Sequence, residues 1–268
     1  MKTAKTVSIS GLPALLVAIF FGALPVFGQT TVVLFEDDFN RANNNVLGTT
    51  SVGGFNWIED STSSGLSTSA TASIIEDGKL VFSSIANDPG YAKVDFNLDS
   101  YMNYTVSFDL ELIGSTNFTT IQPNGSGTHT TLGWRLYQNA NGTVDLYYFN
   151  PNLSPQTTLL ASNIFSTNEV VNISIVVTKT EGGEGTNPSN TASLYLNNGS
   201  EAVATSVFRN ADGAADYFAI YDAGGAGARI DNLVVTTTII PEPSTITALL
   251  AIGALAFASI STLRKRKS

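Results

Sequence analysis

A strict alternation of polar and apolar residues is the feature that most constrains the fold of this chain. From Thr105 to Leu112 every even-numbered residue is apolar and every odd-numbered residue is polar. Because successive side chains of a β-strand point to opposite faces, this segment is predicted to be a strand with one buried and one solvated face. Ile173, Ile175 and Val177 repeat the pattern in a second segment. Between the two ends of the chain no apolar period of 3.6 residues is sustained, so any helices there are predicted to be single turns.

Short turn motifs separate the predicted strands. Asp77 and Gly78 lie between two apolar segments and can take the positive φ values of a type I′ turn, which predicts a hairpin. Asn197, Asn198 and Gly199 are predicted to close a further turn. Many short antiparallel strands, with Gly/Asn/Ser-rich turns and 10% aromatic residues, predict an all-β fold: a two-sheet antiparallel β-sandwich, or jelly roll.

One hairpin, which turns at Asn141 and Gly142, has a pairing that can be predicted from its pattern. A two-residue loop would oppose core positions with solvent positions, because a slip of one residue exchanges the two faces of a strand. We therefore predict a three-residue loop at 140–142, with Gly142 in the left-handed conformation of a bulge. It pairs Trp134 with Tyr148 and Leu136 with Leu146 on the core face, and Arg135 with Tyr147 and Tyr137 with Asp145 on the outer face.

The N-terminus has the pattern of an export signal. Lys2 and Lys5 precede an apolar stretch, and small residues follow where a signal peptidase would cut before Gln29. Residues 1–28 are therefore predicted to be a signal peptide. The alternative is an N-terminal membrane helix, but the apolar stretch is short and is interrupted by two prolines.

The C-terminus has three parts in a fixed order. Pro-Glu-Pro at 241–243 is followed by 19 uncharged residues at 245–263, which as a helix would span about 28 Å, close to the ~30 Å hydrocarbon core of a bilayer. This segment is predicted to be a transmembrane helix. A basic tail at 264–267 comes next and is predicted to stay cytoplasmic, leaving the preceding chain on the far side of the membrane. The tail consists of Arg264, Lys265, Arg266 and Lys267.

Pro241, Glu242 and Pro243, the apolar segment and the basic cluster together resemble the PEP-CTERM sorting signal of Gram-negative bacteria, over residues 241–268. The resemblance implies transient anchoring in the inner membrane and processing near the motif by exosortase, a membrane-embedded cysteine protease. It further implies delivery to the cell surface or extracellular matrix, with signal peptidase acting at the other end. A plain tail anchor is the alternative, because proline also ends strands by removing a backbone donor.

Residues 29–240 remain as the body and are predicted to be one β-sandwich domain. This body has 7 basic and 21 acidic residues, a formal net charge of −14, which disfavours binding to nucleic acid phosphates. The chain has no cysteine, so its stability must come from an apolar core. With His129 as the single histidine, zinc sites and Cys-His or Ser-His-Asp catalysis are disfavoured. His129 itself is predicted to be an exposed loop residue.

The two ends of the body carry a second resemblance. Phe35-Glu-Asp-Asp-Phe39-Asn-Arg-Ala and the segment from Ala228 to Val235 resemble the first and last strands of concanavalin-A-like (laminin-G-like) jelly rolls. The resemblance implies that these strands lie side by side and close the sandwich. Several relatives in that group bind carbohydrate and some are glycoside hydrolases.

If the terminal strands pair, the resemblance brings Asp37, Asp38 and Asp231 near one another. Carboxylate oxygens are the ligands that Ca²⁺ prefers, so a structural Ca²⁺ is the one cofactor predicted here. The alternative, which we favour, is that these carboxylates cap turns or pair with Arg41 and Arg229.

Asp109 and Glu111 are the best pair of carboxylates for catalysis, since they share the wet face of one strand at about 7 Å. That distance is compatible with glycoside hydrolysis. Jelly-roll hydrolases that resemble this fold carry Glu-x-Asp-x-x-Glu, however, and Gly114 stands where the third acid would be. An ordinary solvated face is therefore favoured, and no catalytic residue is predicted.

The outward row of Arg135, Tyr137, Asp145 and Tyr147 fits carbohydrate recognition better. Aromatic faces can stack on a pyranose ring while charged groups bind its hydroxyls. The alternative is an exposed sheet face stabilised by cross-strand pairs of about 0.2–1 kcal/mol each. The sequence therefore predicts an exported, non-enzymatic surface or matrix protein that contacts polysaccharide, with a secreted glycan-degrading enzyme or a purely structural surface protein as alternatives.

Overall fold

The computed structural model describes residues 30–59, 73–84, 88–95, 103–114, 117–125, 132–180, 189–209 and 217–239. Residues Thr31–Thr238 form one compact unit. Within the described ranges the chain forms strands and no helix. The strands are β1 (Thr30–Asp37), β2 (Trp57–Glu59), β3 (Ser73–Glu76), β4 (Lys79–Phe82), β5 (Gly90–Asp95), β6 (Asn103–Leu112), β7 (Phe118–Gly125), β8 (Gly133–Gln138), β9 (Thr143–Phe149), β10 (Thr157–Ser166), β11 (Val170–Thr180), β12 (Ser189–Leu196), β13 (Ala204–Arg209), β14 (Tyr217–Asp222) and β15 (Ala228–Ile239).

The strands form two sheets. An eight-stranded sheet has the order β13-β12-β11-β6-β15-β4-β3, with β1 also pairing with β15. A seven-stranded sheet has the order β10-β9-β8-β7-β14-β5-β2. Strand neighbours such as β6 and β11, or β7 and β14, run antiparallel. The predicted all-β, two-sheet antiparallel sandwich is confirmed, and the first and last strands pair as the second resemblance implied.

Alternation along β6 places one face of the eight-stranded sheet in the core. Tyr104, Val106, Phe108, Leu110 and Leu112 are at most 2% exposed, and the residues between them are at least partly exposed. In β11, Ile173, Ile175 and Val177 are fully buried in the same way. The burial pattern predicted for both strands is therefore confirmed.

Aromatic residues join the two sheets across the core. The rings of Phe108 in the eight-stranded sheet and Phe218 in the seven-stranded sheet have centroids 5.8 Å apart. Trp134 is fully buried, packs edge-on against Phe208, and donates a hydrogen bond from Nε1 to Ser206 Oγ at 2.9 Å. Its only polar group is thus satisfied, so the full burial of the ring stabilises the fold by roughly 3–5 kcal/mol relative to alanine.

Two predicted turns are confirmed by their backbone angles. Asp77 and Gly78 have φ values of 50° and 72° between β3 and β4, as a type I′ turn requires. Asn197 and Asn198 have φ values of 50° and 57°, and the Gly199 amide closes the turn after β12. Asparagine tolerates this left-handed region better than most residues.

The hairpin of β8 and β9 has the predicted register. Leu136 lies opposite Leu146, and Arg135 lies opposite Tyr147. The amide of Asn139 donates to Thr143 O at 2.8 Å, which leaves a three-residue loop at 140–142. Gly142 has a φ of 80°, in the left-handed region.

Several predictions fall outside the described residues. They are the signal peptide at 1–28, the motif, apolar segment and basic tail within 241–268, and the loop that contains His129. In the ranges that are described, no helix has the length and hydropathy needed to cross a membrane.

Candidate functional site

The outward surface of the seven-stranded sheet carries a cluster of aromatic side chains around one arginine. Trp134 and Leu136 of β8 point into the core, so the alternating residues of this strand point outward. The registers of β7, β9 and β14 with their neighbours bring further rings to the same side. We call this surface the aromatic face; it comprises Phe118, Arg135, Tyr137, Tyr147, Phe149 and Tyr221.

Arg135 lies between two rings of the aromatic face. Its guanidinium carbon is 3.4 Å from the ring centroid of Phe149 and 4.2 Å from that of Phe118. Such contacts stabilise a cation through the negative face of the ring. Arg135 also donates from Nη1 to Tyr137 Oη at 3.4 Å, whereas its buried Nε has no acceptor among the described residues.

Four of the five rings of the aromatic face pack against one another in series. The rings of Tyr137 and Tyr147 meet edge-to-face with centroids 4.9 Å apart. Phe118 lies 4.9 Å from Tyr137 and 6.1 Å from Tyr221. Tyr137 and Tyr147 are half-buried, so each ring keeps part of its surface open to solvent. The cluster thus offers preformed aromatic surface whose side chains are held by their neighbours.

One row of residues on the same outward side crosses five strands and includes three residues of the aromatic face. Tyr91, Tyr221, Thr120, Arg135 and Tyr147 lie opposite one another in sequence across β5, β14, β7, β8 and β9. Thr120 is fully buried, and its hydroxyl has no partner within the described part of the chain. Burial raises the pKa of the Tyr221 hydroxyl, and the charge of Arg135 opposes that shift. Arg135 is therefore electrostatically coupled to the aromatic side chain two strands away.

Asp145, the fourth residue of the predicted row, has a hydrogen-bond partner in the adjacent strand β10. Its Oδ1 accepts a hydrogen bond of 2.8 Å from the amide of Asn163, which has a φ of 53° within β10. Irregular register between β9 and β10 surrounds this point. Asp145 therefore ties β10 to β9, while Arg135, Tyr137 and Tyr147 are brought together as predicted.

Asp109 and Glu111 lie on the outward face of the other sheet, and other side chains engage both. Asp109 accepts hydrogen bonds from the side-chain amides of Asn172 at 3.0 Å and Asn232 at 2.9 Å. Glu111 is 3.6 Å from Arg229 and 3.9 Å from Lys79. These partners lie on β11 and β15, which flank β6, and on β4, the strand beyond β15, so the two carboxylates act as cross-strand links in this structure.

The three carboxylates predicted to share Ca²⁺ have other partners. Asp37 is fully buried, forms a bidentate pair with Arg41, and accepts a hydrogen bond of 2.6 Å from Trp57 Nε1. Asp38 and Asp231 each accept a backbone amide close by in sequence. No group of three potential ligands occurs among the residues that the structure describes. Ca²⁺ binding stays a prediction, which melting temperatures with Ca²⁺ and with chelator would test.

Sequence reasoning missed Asp222, a fully buried carboxylate at the end of β14. Burial raises its pKa to about 6, against the opposing effect of the hydrogen bonds that it accepts. These come from the amides of Ala228 at 3.1 Å and Gly224 at 2.9 Å and from the Thr119 hydroxyl at 3.3 Å. An aspartate before a glycine-rich segment is typical of an exposed loop, so the sequence held no signal for this burial. Its role is to hold the connection between β14 and β15.

No protein-family model matches the chain, and no curated protein sequence matches it. The chain is similar in outline to several solved structures. One, from work on endo-acting O-glycanases of the human gut microbiota, has 10% identity and a TM-score of 0.49, covering 78% of this chain and 100% of that one. The Emp47p carbohydrate recognition domain has 11% identity and a TM-score of 0.47, over 76% and 94% of the two chains. A family 16 glycosyl hydrolase from Mycobacterium smegmatis has 10% identity and a TM-score of 0.46, over 76% and 100%. Similarity at this level is uninformative about ligand or activity.

Proposed function

We propose that this protein is an exported, non-enzymatic jelly roll of the concanavalin-A-like kind that binds polysaccharide through its aromatic face. The observation that carries the proposal is the packed set of rings around Arg135. Tyr137 and Tyr147 meet at 4.9 Å, and Phe118 and Phe149 enclose the guanidinium. Rings fixed in this way can stack on the apolar face of a pyranose with little further loss of side-chain entropy.

The arrangement of carboxylates favours binding over hydrolysis. Glycoside hydrolysis needs two carboxyl groups on opposite sides of the scissile bond. Among the described side chains that point outward from the seven-stranded sheet, Asp145 is the single carboxylate, and it holds the Asn163 amide. Asp109 and Glu111 belong to the opposite sheet and have partners of their own. A glycan-degrading enzyme is the second candidate, and a structural surface protein without ligand is the third.

The route of the protein is part of the same proposal. Signal peptidase removes residues 1–28, and the segment at 245–263 holds the chain transiently in the inner membrane. An exosortase-type protease then acts near Pro241, Glu242 and Pro243, and the protein passes to the cell surface or extracellular matrix. An acidic body without cysteines suits such a location, because net charge keeps an exposed surface soluble.

A polysaccharide panel tests the proposed activity. The full-length protein is passed in neutral detergent over immobilised polysaccharides, and the same polymers are assayed for new reducing ends. Retention without reducing-end release is the result we expect. Release of reducing ends would instead support the degradative enzyme, and neither retention nor release would support the structural protein.

A further inference from the structure

We propose that the aromatic face selects acidic polysaccharide, with the side chain of Arg135 receiving a carboxylate or sulfate group of the polymer. This inference rests on the proposed function and specifies the chemical class of its ligand. It is drawn from the incomplete pairing of Arg135, and it is independent of which sugar carries the acidic group.

The aromatic rings stabilise the charge of Arg135 and leave most of its hydrogen-bond donors unused. A guanidinium has five N–H donors. Within the described residues Arg135 makes one hydrogen bond, the 3.4 Å contact with Tyr137, and forms no ion pair. Its Nε is buried and has no acceptor in the part of the chain that the structure describes, so an external oxyanion would bind the Nη donors. Ring faces attract a cation but accept hydrogen bonds poorly, so an oxyanion would supply what this site lacks.

The carboxylates that the structure describes do not meet this need. Asp145 lies opposite Tyr137, two residues along β9 from Tyr147, which faces Arg135, and its Oδ1 accepts a hydrogen bond from the Asn163 amide. Two other arginine side chains that the structure describes are each paired with a carboxylate. Arg41 pairs with Asp37, and Arg229 pairs with Glu111. Among the arginine side chains that the structure describes, Arg135 is thus the one without a carboxylate partner among the described residues.

A second cation, Lys93, lies on the same outward side at a distance from Arg135. Lys93 of β5 lies over the rings of Tyr217 at 4.7 Å and Tyr91 at 5.9 Å. β5 and β8 are three strand spacings apart in the sheet, which is about 14 Å. A chain of several sugars laid across the strands, with an acidic group at Arg135, can therefore extend towards Lys93 and rest its rings on the aromatic side chains between them.

Chemically matched polymers provide the test. The full-length protein is titrated against a soluble polyuronate and its carboxyl-reduced form, and against dextran sulfate and dextran. The titrations are made at 0.15 M salt, which screens the repulsion between the acidic body and the polymer beyond about 8 Å. Under these conditions we expect about 10- to 100-fold tighter binding to at least one acidic polymer than to its neutral counterpart, the range typical of one charge-assisted hydrogen bond. The first pair reports on carboxylate and the second on sulfate. In Arg135→Gln the ratio of the affinities for the acidic and the neutral polymer should fall towards one. Arg229→Gln removes the same charge from the other sheet and should retain this ratio.

Each outcome is decisive. Equal or tighter binding to the neutral polymers would overturn the acidic ligand and leave the polysaccharide-binding proposal standing, and binding to no polymer would overturn both. An unchanged ratio in Arg135→Gln, or an equal loss in Arg229→Gln, would overturn the assignment to Arg135. Melting curves establish that the variants fold. If Arg135→Gln does not fold, the ratio measured for the unsubstituted protein still decides whether the ligand is acidic.

Discussion

At the scale of single residues, the burial of Asp222 changes the pKa of its own carboxyl group. Its pKa is about 6 in the folded protein, against an ordinary value of 3.8, because burial disfavours the charged form. Between these two values the native state binds more protons than the unfolded state. The contribution of this group to stability is therefore present in full below about pH 4 and is lost as the pH rises through 6.

Asp222→Asn should remove this pH dependence. A shift of about two pKa units corresponds to roughly 3 kcal/mol, so the free energy of unfolding of the unsubstituted protein should fall by up to that amount, relative to the variant, between pH 4 and pH 7. Urea unfolding of both proteins at pH 4, 5, 6 and 7 measures the difference and cancels the titration of other groups. Parallel profiles for the two proteins would contradict the account.

At the scale of elements, the β8–β9 hairpin and the β14–β15 connection differ in what their sequences reveal. The hairpin register was predictable because its loop is local and a one-residue slip would exchange core and solvent faces. Arg135, Tyr137 and Tyr147 were found in this way. Phe118 was missed because no turn pattern in the sequence fixed the register of β7 with the following strand β8. Tyr221 was missed because β14 pairs with β7, a strand remote from it in sequence. No local pattern selects such partners.

Close packing of the β14–β15 connection against the end of β6 requires a glycine at 114. A Cβ at Gly114 would overlap the carbonyl oxygen of Gly225 and lie 2.5 Å from that of Ala226. Gly114 N donates to this second oxygen at 2.8 Å, and the Asn117 side-chain amide donates to Gly224 O, so the connection cannot shift without losing hydrogen bonds. Steric contact with the neighbouring backbone, rather than a positive φ angle, therefore requires glycine at position 114.

Gly114→Ala should consequently destabilise the protein far more than a glycine substitution in open space. Gly54→Ala is the matched control, because Gly54 has a φ of +68° and a Cβ added there would meet no atom within 4 Å. The control should cost about 1–2 kcal/mol, the usual penalty of the left-handed region. The loss of unfolding free energy should be several-fold larger in Gly114→Ala than in the control, because the neighbouring backbone must move to admit a Cβ. Equal losses in urea unfolding would contradict the close approach.

At the scale of the whole molecule, the alternation of the strands and the density of turn motifs were enough to predict a two-sheet sandwich. The pairing of β1 with β15 followed from the resemblance to concanavalin-A-like proteins and is confirmed. The ends of the chain are a separate question, because the export and sorting segments lie outside the described residues. Their tests must therefore be made in cells.

Replacing Pro241, Glu242 and Pro243 with alanine should block processing of the tail. The apolar segment at 245–263 is unchanged in this variant, so membrane insertion should persist and the unprocessed protein should accumulate in the inner membrane. Ser244→Ala is the control and should be processed normally. Fractionation and the size of the protein report the result, and unchanged surface delivery of the triple variant would argue against the sorting motif.

The most direct test of the central claim is polysaccharide binding by a variant with Tyr137→Ala and Tyr147→Ala. Both rings are half-buried and lie on the outward side, so the variant should fold, with a loss of about 1 kcal/mol from their mutual contact. Tyr195→Ala, which removes a half-buried tyrosine from the other sheet, is the matched control. We predict that the double variant loses retention on a polysaccharide that holds the unsubstituted protein and the control. A folded double variant that binds as tightly as the control would contradict a binding role for the aromatic face.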